Sequence, residues 1–95
     1  MNMIEAKEFL EDAVAVMVER GKTYDNPQGE RSMEKTVTAF NAITGKQLNE
    51  ADGWLLMLLL KQVRQHQKNG FHLDSAQDSV AYAALLAEAE SKHEI

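Results

Sequence analysis

The chain has no cysteine among its 95 residues. Disulfides, thiolate-bound zinc or iron–sulfur centres and a thiol nucleophile are therefore excluded. Proline occurs once, at Pro27, glycine five times, and no low-complexity tract or internal repeat is visible. Long apolar runs are missing as well. The longest, Trp54 to Leu60, falls far short of the roughly 20 residues that cross a bilayer. The first residues, Met1-Asn2-Met3-Ile4-Glu5-Ala6-Lys7-Glu8, lack the basic-then-apolar pattern of a secretory signal. Basic charge is in short supply, 10 Lys and Arg against 15 Asp and Glu, for a net charge of −5. A surface that coats nucleic acid carries the opposite sign, so direct nucleic-acid binding is not expected. These absences point to a soluble cytoplasmic protein with no membrane partner.

What is present is one domain's worth of helical patterning. A compact monomer of this mass exposes roughly 5,500 Å², against roughly 15,500 Å² for the unfolded chain, which leaves room for one core. Residues 1–95 are read as a single all-α domain of four helices, at about 3–20, 32–44, 50–69 and 75–91. In the first, Ala6, Phe9, Leu10, Ala13, Val14, Met17 and Val18 recur at helical spacing, and Gly21 is the expected C-terminal stop. Met33, Val37, Phe40 and Ile43 form the stripe of the second, which ends before Gly45. Asn49 is the expected N-cap of the third, with Asp52 three residues on as a relative of the capping box. Asp74 and Gln77 suggest a capping box for the fourth, whose many alanines allow close approach.

The third helix is apolar on every side from Trp54 to Leu60, and a helix of that kind must be surrounded. It is the expected centre of a compact four-helix bundle, with Leu56, Leu59, Leu60 and Val63 nearly inaccessible in the assembled protein. Three thin neighbours cannot easily enclose it, so a homodimer is expected to complete the bundle, with the alanine-rich fourth helix as a further contact surface.

Three groups of residues could carry chemistry. The polar loop from Lys22 to Arg31 is long for a helix connection and holds Tyr24, Asp25 and Arg31, candidate ligand-binding groups. Lys61 and Arg64 lie three apart after the apolar run. They could grip a phosphate, or pair with Asp74 and Asp78 in a structural network. Asp74 and Asp78 are four apart at a helix start, with His72 nearby. They are candidate ligands for a divalent cation such as Mg²⁺, against the simpler reading of a cap and a first-turn acid. Glu5 and Glu8 read as solvated, and Trp54, His66 and His93 as structural or exposed. No Ser–His–Asp, P-loop or dinucleotide-binding pattern occurs.

Three segments carry a resemblance: Tyr24-Asp25-Asn26-Pro27-Gln28-Gly29-Glu30-Arg31-Ser32-Met33, Trp54-Leu55-Leu56-Met57-Leu58-Leu59-Leu60-Lys61, and Asp74-Ser75-Ala76-Gln77-Asp78-Ser79-Val80-Ala81-Tyr82. Together they resemble a family of small uncharacterised phage and prophage proteins. More remotely, the pattern is similar to all-α domains associated with phage nucleotide modification and to MazG-like nucleoside triphosphate pyrophosphohydrolases. The resemblance implies an all-α fold, phage origin, the cytoplasm of a bacterial host and a link to nucleotides. The metal-binding Glu-x-x-Glu and Glu-x-x-Asp pairs of the MazG-like enzymes do not transfer. Glu5 and Glu8 lie at the extreme N-terminus, and Ser75 stands where a Glu would precede Asp78. Two functions follow as expectations: a phage accessory protein binding a nucleotide or other phosphorylated small molecule, or a non-enzymatic interaction protein that modulates a host protein.

Overall fold

The structure, a computed structural model, describes residues 3–23, 32–67 and 69–92. Four helices build it: α1 (Ala6–Thr23), α2 (Met33–Thr44), α3 (Glu50–Gln67) and α4 (Leu73–Ser91). No strand occurs among the described residues, so the all-α expectation is met. None of the helices is long and apolar enough to cross a membrane.

Two of the expected helix ends form as the residue types dictate. Gly45 closes α2 in the left-handed conformation, φ 75°, and its N–H bonds the Asn41 carbonyl at 2.8 Å. At the start of α3, Asp52 N–H donates to Asn49 Oδ1 at 2.8 Å while Asn49 N–H donates to Asp52 Oδ2 at 2.9 Å. Each side chain thereby satisfies a donor that the first turn leaves open.

Two expected ends are displaced. Gly21 does not stop α1; it is buried inside the helix, which runs on to Thr23. A glycine ends a helix only where the chain needs a left-handed residue, and Gly21 keeps the helical conformation. Asp74 is not the cap of α4 either. The helix begins at Leu73 with His72 at the N-cap in an extended conformation, and Asp74 falls in the first turn. Contacts from α3, described below, hold His72 there.

α3 and α4 pack most closely, α1 lies on α4, and α2 lies on α3. The core is Trp54, Tyr82, Leu85 and Ala89, with Met17, Met33, Met57, Leu58 and Leu86 packed around it. Trp54 is 2% exposed, and its ring stacks on Tyr82 with centroids 5.8 Å apart and planes at 26°, within the range where aromatic pairs attract. α2 approaches through Gly53. A Cβ there would collide with Met33 Sδ and sit 3.0 Å from Val37 Cγ1. The alanines of α4 that are buried, Ala81 and Ala89, are covered within the chain itself.

The expectation that Leu56, Leu59, Leu60 and Val63 are nearly inaccessible does not hold for the single chain. They are 58%, 50%, 39% and 51% exposed, and Leu55 is exposed beside them. Each residue turns a helix by about 100°, so Leu59 and Val63 project from the side of α3 opposite Trp54 and Lys61. α4 covers the Trp54 side and α2 crosses near Gly53. No described element covers the far side.

Candidate functional site

Below the Trp54–Tyr82 stack, the surface between α3 and α4 changes from apolar to polar. The sequence causes this directly, because the apolar run ends at Leu60 and is followed by Lys61, Gln62 and Gln65. Across from them, α4 offers His72, Ser75, Asp78 and Ser79. Ser75 and Ser79 are four apart and share one helix face.

Lys61 is the centre of this seam. The residue is 9% exposed, and its Nζ lies 2.8 Å from Asp78 Oδ2. Gln62 Nε2 donates to Ser79 Oγ at 2.9 Å. The Gln65 carboxamide, oriented so that its amide meets a carbonyl, donates to the His72 carbonyl oxygen at 2.7 Å and accepts from the His72 N–H at 3.1 Å. His72 Nδ1 in turn lies 2.6 Å from Ser75 Oγ in a hydrogen bond. This clamp fixes His72 as the residue from which α4 starts.

Every buried side-chain nitrogen and oxygen among the described residues has a partner. The seam is therefore closed on itself, and it has no orphaned polar atom directed at a ligand. Ser75, at 0% exposure, has no route to a substrate, so the His72–Ser75 pair is not an exposed nucleophile and base. What the arrangement does chemically is desolvate one cation and one anion together, which demands close geometry and fixes the register of α3 on α4.

The sequence-derived candidates fall into three places. Lys61 and Asp78 meet. Arg64 and Asp74 are exposed, and no ion pair joins either of them to the Lys61–Asp78 pair. Tyr24, Asp25 and Arg31 lie outside the described residues. Among the described residues, no three His, Asp or Glu side chains gather where a metal ion could be held.

A shallow cavity of about 450 Å³ adjoins the seam between α1, α3 and α4, lined by Phe9, Gln62, Gln65, Phe71, Ser79 and Val80. Its walls carry phenyl rings, carboxamides and a hydroxyl but no cation, a composition unsuited to a phosphate. Gln62, Gln65, Ser75 and Ser79 were not singled out by sequence reasoning. The available signal was the Ser–Ser spacing of four opposite a Lys-Gln-x-x-Gln face.

No curated protein and no solved structure matches the chain. Residues 8–90 match the family DUF6378, a domain of unknown function, and the chain belongs to that family.

Proposed function

We propose that this protein works by binding rather than by catalysis, as a phage accessory protein that forms a homodimer and modulates a host protein. The observation that carries the reading is the uncovered apolar side of α3: Leu55, Leu56, Leu59, Leu60 and Val63, each at least 39% exposed. A contiguous apolar face of this kind on a water-exposed helix marks an interaction site. The phage assignment rests on the resemblance of the three sequence segments given above. The polar seam supports binding over catalysis, since its two serines, Ser75 and Ser79, are buried and hydrogen-bonded and its lysine is held by Asp78.

The reading is tested with a photo-crosslinking residue at Leu56, compared with the same residue at the exposed Glu90, in bacterial cells. The expected result is a crosslinked product, to a second copy or to a host protein, that forms at Leu56 and not at Glu90. No product above the Glu90 background would overturn it.

A second reading, binding of a nucleotide or other phosphorylated small molecule with Mg²⁺ as companion ion, draws on the exposed Arg64 in the last turn of α3. Its other candidate groups are Tyr24, Asp25 and Arg31. A thermal-shift series with nucleotides, with and without Mg²⁺, tests it. A ligand at 100 times its Kd adds roughly 2.7 kcal/mol of apparent stability, and no shift at any nucleotide concentration contradicts it.

A further inference from the structure

The apolar side of α3 has an internal symmetry that suits a second copy of itself. Leu55 and Val63 are equidistant from Leu59, four residues to either side, and Leu56 and Val63 flank the Leu59-Leu60 pair evenly. The ends differ in charge: Glu50 and Asp52 occupy the first turn, Arg64 and His66 the last. Turned end over end, this face matches itself, apolar on apolar and Asp52 on His66, which lie within about 20° of Leu59 around the helix; Glu50 is on the other side of α3, paired with Lys92.

We propose that the outer face of α3 packs antiparallel against the same face of a second copy, with a two-fold axis passing beside Leu59. The proposal rests on the binding reading above and commits that face to a copy of this chain. In this arrangement Leu55 meets the partner's Val63, Leu59 meets the partner's Leu59, and Asp52 lies opposite the partner's His66. A parallel pairing sets Asp52 against the partner's Asp52 and aligns the two helix dipoles, both of which are unfavourable. The antiparallel contact is isologous and closes at two chains, so it yields a dimer and not a filament.

The test combines mass with register. Light scattering at micromolar concentration should give twice the 10.7 kDa chain mass. Leu59→Lys should halve it with the helical circular dichroism retained, as befits a residue that is exposed in the single chain. Leu56→Glu is the second variant should Leu59→Lys lose helicity. Because the chain has no cysteine, Asp52→Cys and His66→Cys proteins can be mixed and joined with a short bismaleimide. The expected product is the 52–66 crosslink, in excess over 52–52 and 66–66. A single-chain mass at every concentration overturns the proposal, and so does a dimer that joins 52 to 52. A single-chain mass together with a Leu56 photo-adduct to a host protein leaves the host-binding part of the reading standing and removes the homodimer and this proposal.

Discussion

Lys61 Nζ and Asp78 Oδ2 are 2.8 Å apart, and the two side chains are only 11% and 20% exposed. The pair sits where α3 passes from its leucine run to its basic end, and it ties that point to the first turns of α4. Sequence spacing left two uses open for these charges, a phosphate grip or mutual pairing, and in the structure they meet each other.

A double-mutant cycle measures what the pair contributes. Lys61→Met and Asp78→Leu should each cost about 3 kcal/mol, since each leaves one largely buried charge without its partner. The double variant should recover most of that loss. Urea denaturation of the four proteins checks the cycle, and additive losses would show that the pair is not coupled.

Trp54 is the single tryptophan of the chain and is buried against Tyr82. Its fluorescence should be blue-shifted in the native protein and shift red in one step with loss of helicity. Trp54→Ala should cost about 3–5 kcal/mol, the range for removing a large buried aromatic side chain. An unshifted native emission would place Trp54 at the surface and contradict the core.

Gly53 sets how near α2 comes to α3, because a Cβ would stand 2.9 Å from Met33 Cγ and 3.0 Å from Val37 Cγ1. Gly53→Val should push α2 away at a cost of about 1–3 kcal/mol. A helix of 12 residues is not stable alone in water, so hydrogen exchange in residues 33–44 should accelerate more than in α4. Equal protection in both variants would contradict the close approach.

Gln65→Ala removes the two bonds that tie the backbone of His72 to α3. The expected loss is about 1–2 kcal/mol, with faster amide exchange in the first turn of α4. Loss of stability without faster exchange there would mean that α4 does not depend on Gln65 for its start.

The helices were legible wherever local chemistry decides. Asn49 and Asp52 cap each other and Gly45 adopts the left-handed turn; of the apolar stripes read for α1 and α2, Ala13 and Val37 are buried, whereas Leu10, Val14, Val18, Phe40 and Ile43 are exposed. Local pattern failed where a distant residue decides. Asp74 has every property of an N-cap, yet Gln65, on another helix, selects His72. Gly21 reads as a stop but lies buried inside α1. The leucine run of α3 shows that both of its sides are apolar, but periodicity does not say what covers each side. Pairing of Lys61 with Asp78 was legible as one of two uses. The amide and hydroxyl contacts of Gln62, Gln65, Ser75 and Ser79 were not, because they depend on the register of α3 against α4.

The central claim is that the outer side of α3 is covered in solution. Leu59→Cys would be the sole thiol in the protein, so the rate of maleimide labelling, with reductant present until the reagent is added, reports directly on that position. A Cys at the exposed Glu34 gives the reference rate. Labelling at position 59 should be slow at high protein concentration and rise to the reference rate on dilution. Labelling as fast as the reference at every concentration would contradict the account.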